Sequence, residues 1–265
     1  MTTAASASVG APGTPRRYLH SLWLLSSRDL RVRYATSWLG YLWSVLDPLV
    51  MTVIYWFVFT RVFHRVGPEP YIVFLISAML PWMWFKQSIN DFTTAFSKDG
   101  KLVRSTNIPR SIWVNRIVLS KGIEFLCSIP VIVLFAVFGG AQVHWQLILF
   151  PVAIVLQGVL LVGMGLVLAP LCTLFSDLER TTKLILRALF YATPIIYSID
   201  RLPGGFETAA AFNPLAGIVS LYRVGFFPED WNTLAVTVSA VMSVAILALG
   251  VFVFRRLEPA VLKEL

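Results

Sequence analysis

Residues Asp29–Val50 read DLRVRYATSWLGYLWSVLDPLV, and the run MTVIYWFVF follows directly at 51–59. Arginines come first, then Trp38, Tyr41 and Trp43, then unbroken apolar sequence. This is the order in which a chain meets phosphate headgroups, the membrane interface and hydrocarbon. The stretch therefore predicts a segment that lies on a bilayer before crossing it.

The rest of the composition agrees. The chain has 265 residues, of which 57% are hydrophobic and 14% charged, against about 25% charged in a soluble domain. Its mean hydropathy is +0.74. A soluble fold of this length lacks the volume to enclose so much apolar surface, whereas lipid acts as the solvent of a membrane protein. The net charge of +8 informs through its distribution and does not require nucleic acid as a partner. Cys127 and Cys172 lie in apolar runs, so neither a disulfide framework nor a metal site is expected. MTTAASASVGAPGTP, residues 1–15, is small, polar and uncharged, and is expected to be a disordered tail and not a cleaved signal.

A helix needs about 20 residues to cross a bilayer core. Six segments approach this: near 41–63, 71–92, 112–138, 146–171, 184–199 and 233–254. The fifth is short. Lys and Arg alternate between connections. Arg16, Arg17, Arg28, Arg31 and Arg33 precede the first span. Lys98, Lys101, Arg104 and Arg110 lie between spans two and three, with Lys86, Arg116 and Lys121 near the helix ends. Arg180, Lys183 and Arg187 lie between spans four and five, and Arg255, Arg256 and Lys263 follow span six. Only Arg61, Arg65, Arg201 and Arg223 fall on the other side. By the positive-inside rule both termini are expected in the cytoplasm, which an even number of crossings requires.

Residues 16–36 are expected to form an amphipathic helix in the inner headgroup layer. Leu19, Leu22, Trp23, Leu30 and Arg33 can share one side of it, while Arg17, His20, Arg28 and Arg31 cover much of the remainder. Packing against another protein explains the same pattern. Asp47-Pro48 reads as a helix cap or kink, or as a carboxylate that binds substrate. Lys121 and Glu124, three residues apart on span three, can pair, or Lys121 can snorkel to headgroups. DLERTTK, 177–183, and SKDGKLVRSTNIPR, 97–110, read as short cytoplasmic connections. After span five, Pro194, Pro203, Gly204, Gly205, Asn213 and Pro214 divide a stretch too apolar for a wet loop. Short helices near 207–211 and 214–224 are expected there, re-entrant in the outer leaflet. No Walker-type loop, H-E-x-x-H, G-x-S-x-G or C-x-x-C occurs, so energy for any active transport must come from an ion gradient or another chain; intramembrane carboxylates are too scarce to favour the gradient.

Taken in order, these pieces resemble the membrane subunit of type-2 ABC exporters, in particular the polysaccharide and polyol-phosphate group that handles O-antigen, teichoic acid or galactan. Asp29, Arg31, Arg33, Tyr34, Leu39, Gly40, Leu42, Trp43 and Pro48 resemble its RDLxxRY…LGxLW…P region. Asn107, Ile108, Pro109 and Arg110 resemble its basic loop ending in Pro-Arg. Asp177 resembles an acidic position after span four, although Ser176 stands where an arginine is usual. Pro194, Ile195, Ile196, Tyr197 and Ser198 resemble its S/T-P-I-x-Y-S element, and Asn213-Pro214-Leu215 with Tyr222-Arg223 its outer segment.

The resemblance implies an all-α integral membrane protein of the bacterial plasma membrane. A six-helix transmembrane domain would occupy 38–257, with a cytoplasmic tail at 258–265. The protein would pair with a second copy and dock two nucleotide-binding ATPase subunits, which bind ATP and Mg while this chain carries no cofactor and is not an enzyme. Asp29, Arg31, Arg33, Lys98, Lys101, Arg104, Arg110 and Asp177 would couple to the ATPase. Tyr55, Trp56, Phe59, Trp82, Trp84 and Phe85 are candidates to line a path for a lipid-linked glycan, because aromatic faces stack on sugar rings; contact with membrane lipids is their plainer role. Pro194, Tyr197, Asn213, Pro214 and Arg223 would build the outer segment. A small hydrophobic cargo, a membrane-bound enzyme and a non-transporting scaffold are the alternatives.

Overall fold

Apolar chain that cannot use water must satisfy its backbone internally, and this chain does so with helices: the described residues contain no strand. The computed structural model describes residues 15–34, 42–62, 68–105 and 108–264. The expectations placed on residues 1–14, Trp38, Leu39, Gly40, Tyr41, Arg65 and Asn107, and on the side chains of Tyr34, Asp47 and Pro48, lie outside the described residues.

Helix α1 is Pro15–Tyr34, α2 Leu42–Phe57, α3 Tyr71–Phe92, α4 Gly100–Ser105 and α5 Ser111–Phe138. Helix α6 is Phe150–Leu174, α7 Asp177–Ala192, α8 Phe206–Ala211, α9 Pro214–Arg223 and α10 Thr233–Glu264. Among the described residues, four helical stretches are long and apolar enough to cross a membrane: Tyr71–Phe92, Ser111–Phe138, Trp145–Leu174 and Thr233–Glu264. A shorter apolar helical stretch, Leu49–Val62, combines the end of α2 with a π turn over Val58–Val62, whereas the 16-residue α7 is charged in its first turns.

Helix α3 is the centre, packed against α2, α5, α6, α7 and α9, with Phe74, Ile76 and Phe92 wholly buried. Pro81 interrupts its hydrogen-bond ladder, and the buried amide of Gln157 in α6 donates to the Pro81 carbonyl at 2.8 Å. Helices α6 and α10 cross on small residues: a Cβ on Gly250 would stand 2.4 Å from the Gly163 carbonyl oxygen. Backbones that approach this closely need glycine, the device by which helices associate where no hydrophobic force separates protein from lipid.

Three expectations need correction. Helix α2 begins at Leu42, so Asp47-Pro48 lies within it and does not cap it. The stretch DLERTTK is not a loop but the first turns of α7, where Asp177 and Glu179 complement the helix dipole and Lys183 pairs with Glu179 at 2.6 Å. The fifth apolar segment stops at Ala192, well short of 199, because Pro194 drives Thr193 into extended backbone at φ −92°, ψ 138°. The last helix runs on through 258–264 to Glu264.

Helix α1 packs on α5. Its buried side is Leu22, Leu25, Ser26 and Leu30, whereas Leu19 and Trp23 are exposed. The apolar stripe expected from periodicity is therefore divided. One part is covered by α5 of the same chain, and the other faces outward.

Candidate functional site

At the α1 end of the bundle the arginines of the opening stretch find their partners. Asp91 and Asp99, the only acidic residues between 71 and 110, close the end of α3 and the turn before α4, where the Asp99 carbonyl accepts from Leu102 and Val103. Arg116 on α5 is nearly buried and stacks 4.5 Å over the ring of Trp113. It holds Asp29 of α1 at 3.4 Å through one guanidinium nitrogen and Asp99 through the other. Arg28 reaches Asp99 at 3.1 Å, and Ser26 donates to the Arg116 carbonyl at 3.3 Å. One guanidinium thus bridges the N-terminal helix and the connection between α3 and α5, a geometry suited to a planar fork of donors.

A second cluster lies deeper. Arg33 binds Asp91 at 2.9 Å and Glu124 at 3.3 Å. Lys121 pairs with Glu124 at 3.3 Å, approaches Asp91 at 3.7 Å, and donates to Gln87 at 3.0 Å. Lys121 and Glu124 are both buried, so Lys121 turns into the bundle and does not snorkel. Either charge alone would pay desolvation without return.

The two carboxylates on Arg116 titrate in opposite directions. Burial pushes Asp29 up, and Arg116 only partly counters it. Burial also pushes Asp99 up, but Arg116 and Arg28 together outweigh it and hold the carboxyl below its ordinary value. A cavity of about 310 Å³ separates α1 from α3 here, and Lys98 lines it.

The remaining coupling candidates are dispersed. Arg31 is exposed and, among the described residues, donates to the Ser27 carbonyl of its own helix. Lys101 and Arg104 are exposed on α4, Asp177 is exposed at the start of α7, and Arg110 is half-buried with its Nε lacking a partner among the described residues. Arg116 and Asp99 carry the first cluster and Asp91 the second, and none of the three is among the expected coupling residues. Their one sequence signal was two lone acids in a basic segment.

A second feature opens between α2, α3 and α7, a groove of about 680 Å³. Tyr55 and Trp82 border it, together with Phe190 and Tyr191. Phe190 sits 5.7 Å from Tyr55 and 5.5 Å from Trp82, ring centre to ring centre. Trp82, Trp84 and Phe85 are corrected: all three are buried, Trp82 packed on Phe85 and Phe190 behind the groove, and Trp84 stacked on Phe125 at 5.3 Å and donating to the Val118 carbonyl. A ring enclosed by its own protomer has no free face. Trp56 is half-buried, and Phe59 lines a separate cavity of about 550 Å³ beside Tyr71 and Tyr197.

At the other end of α3, Arg223 of α9 is wholly buried. It donates to the carbonyls of Phe74 at 3.1 Å, Pro194 at 2.7 Å and Ile195, lies 3.5 Å over the Phe74 ring, and faces Asp230 at 3.6 Å. Tyr197 donates to the Tyr191 carbonyl at 3.0 Å. Asn213 caps α9 through Leu215 N–H at 3.0 Å and donates to Thr193 at 2.9 Å, with Pro214 in the first turn where no N–H is needed. Of these residues Pro194 meets Arg223 directly, whereas Tyr197 and Asn213 are bonded to the end of α7 and the start of α9.

These features define a helical membrane protein with a charge-paired peripheral helix and an aromatic groove open on one side. The chain belongs to the ABC-2 type transporter family, which it matches over residues 20–227. It is 33% identical over 236 residues to the O-antigen export system permease protein RfbA of Klebsiella pneumoniae, covering 89% of this chain and 91% of that one. The corresponding figures are 28% over 206 residues, with coverage of 77% and 78%, for RfbA of Myxococcus xanthus. For the polysialic acid transport protein KpsM of Escherichia coli they are 22% over 241 residues, with coverage of 89% and 92%.

Proposed function

We propose that this chain is the membrane permease half of an ATP-driven exporter that moves a lipid-linked polysaccharide out of the cytoplasm. It would span the plasma membrane six times with both termini inside, α2 and α7 supplying the first and fifth crossings, and α8 and α9 returning within the outer leaflet. Two copies would form the conduit, and two separate subunits would hydrolyse ATP with Mg. The cargo belongs to the O-antigen or cell-wall galactan type. The observation that carries this reading is the groove itself, where Tyr191 and half-buried Tyr55 offer ring surface and the buried Trp82 and Phe190 rings back them. A polymer that slides must be held by contacts that repeat without a fixed hydrogen-bond pattern, and ring faces provide them.

In this reading the Arg116 joint links the ATPase to the bundle. The Asp99 connection and α1 lie where a soluble partner would press, and both end on a guanidinium rooted in α5. The decisive experiment reconstitutes the permease with its ATPase in proteoliposomes and measures ATP-dependent appearance of a lipid-linked glycan on the far leaflet by external lectin capture. Capture that does not depend on ATP overturns the reading.

A further inference from the structure

Pro81 divides α3 into two halves that answer to different neighbours. In the half that begins at Tyr71, the Phe74 carbonyl accepts from Arg223 at 3.1 Å and the Tyr71 hydroxyl donates to the Ile196 carbonyl at 3.0 Å. In the half that ends at Phe92, Trp84 donates to the Val118 carbonyl of α5 at 3.3 Å, Gln87 accepts from Lys121 at 3.0 Å, and Asp91 meets Arg33 of α1 at 2.9 Å. Proline has no N–H to offer the Ser77 carbonyl, so one rung between the halves is missing. Breaks of this kind are where helices bend.

This break is braced from α6. Gln157, only 1% exposed, donates to the Pro81 carbonyl at 2.8 Å. A carbonyl can only accept, so the amide nitrogen has to face it. The amide oxygen is then buried with no hydrogen-bond partner among the described residues. An acceptor left unpaired in an apolar interior is unfavourable, and a leucine of similar size would avoid it. Glutamine at this position is therefore suited to one task, the contact with Pro81. Its helix is a fixed post: further along α6, a Cβ on Gly163 would stand 2.6 Å from the Leu247 nitrogen of α10. Past the break, by contrast, Phe92 and Val114 meet α6 at Gly165, which has no side chain to interlock with them. Met79 borders the groove just before the break, and Trp82, Met83 and Lys86 follow it. The angle between the halves thus shapes the groove.

Resting on the exporter reading, we infer that Gln157 is a positioning residue for transport: it ties the Pro81 carbonyl to α6, fixes the angle between the halves of α3 and so sets the groove at rest. The first half stays stapled through Arg223. The second half, tied through Asp91 to α1 and through Trp84 to α5, turns about Pro81 when the ATPase moves that end of the bundle. The groove wall from Trp82 onward turns with it.

The test uses the full permease–ATPase complex in nanodiscs. Cys127 and Cys172 are replaced by serine and a trifluoromethyl probe is attached to Lys86→Cys, so that fluorine NMR reads the populations of groove conformations. Wild type should show one dominant resonance at rest, and ATP bound to a hydrolysis-deficient ATPase should shift it to a second. Gln157→Leu should raise that second population at rest about fivefold, the factor that one hydrogen bond carries. In Pro81→Ala, where the ladder can close, ATP should shift nothing and adding Gln157→Leu should change nothing. A residue that merely filled the core would act alike with and without Pro81. Gln157→Asn, a methylene short of the carbonyl, should match the leucine variant and serves if that variant does not fold. Unchanged populations in both Gln157 variants overturn the inference. So does an equal shift in the Pro81→Ala background, or a Pro81→Ala groove that responds to ATP as wild type does. When any of these appears in a complex whose wild type exports glycan with ATP, the brace falls and the exporter reading stands. A wild-type complex that exports nothing, yet whose resting populations depend on Gln157 only when Pro81 is present, keeps the brace and removes the exporter reading.

Discussion

Arg116 and Arg223 are both buried arginines, and they are held in opposite ways. Arg223 rests on three backbone carbonyls and a phenyl ring, with one carboxylate beyond. Arg116 rests on two carboxylates that belong to different elements, one on α1 and one before α4. Carbonyls neither titrate nor leave, since they are part of the backbone they organise. Carboxylates on separate elements can lose a proton partner, exchange cations or move apart. The first arrangement is a permanent staple between α3, α9 and the chain after α7. The second is a joint that can be remade. The two stand at opposite ends of α3, roughly 25 Å apart from Phe74 to Asp91 by helical rise. The lesson is that one residue type fixes a framework or connects a movable part according to the acceptor it meets.

The largest effect should come from breaking the staple. R223A takes the guanidinium from the Pro194 and Ile195 carbonyls and leaves the Phe74 carbonyl and the buried Asp230 to their serine donors, Ser77 and Ser198; it should cost ~3–5 kcal/mol, seen as lost thermal stability of the purified protein in detergent. R223K should rescue little of it, because an ammonium cannot fork across the Phe74, Pro194 and Ile195 carbonyls. Melting of R223A alongside wild type would remove the contrast altogether.

Breaking the joint should cost less and act locally. R116A is expected to lose ~1.5–3 kcal/mol, and hydrogen exchange should rise in α1 and around Asp99 while α6 and α10 stay protected. Uniform deprotection of the whole bundle would mean that Arg116 is as structural as Arg223. R28A removes a half-exposed partner of Asp99 and should cost only ~0.2–1 kcal/mol, diminishing with added salt; the same exchange measurement at two ionic strengths reads it.

The smallest effect is on acid response. Asp99 is held below its ordinary value of 3.8, so its contribution is complete above that value and drains as pH falls through its lower folded one. Asp29 is raised, so its charged form opposes docking, and acid that protonates it first slightly favours the folded joint. Protection of α1 should therefore hold or rise a little on mild acidification and collapse only below the ordinary carboxylate range. The staple should show no matching loss through its carbonyls. A decline of α1 protection beginning near neutral pH contradicts this pairing.

Much of this was legible in the chain. Helix α3 coincides with the segment expected at 71–92, and α9 begins where Asn213-Pro214 announces a capped helix. The misread pieces have specific causes. DLERTTK reads as a loop by polarity, yet acids in its first turn and the Glu179–Lys183 spacing were helix signals in plain view. Trp82 and Trp84 are near neighbours on one helix, but two residues turn a side chain through about 200°, which puts Trp82 on the groove and Trp84 against Phe125. Leu19 and Trp23 were grouped with Leu22 and Leu30 on a face that α5 covers only in part.

Residue order alone specifies a helical chain built for a membrane, the places of its long spans, and the prolines and caps that end them. Those properties are local: each depends on a window of residues and on the cost of an unsatisfied backbone group in lipid. Which arginine is a staple and which a joint, and which aromatics border a groove, emerge from the packing of the helices. Asp29 and Arg116 stand 87 positions apart and Phe74 and Arg223 stand 149. Whether such residues meet depends on how each helix is rotated against its neighbours, which no local window contains.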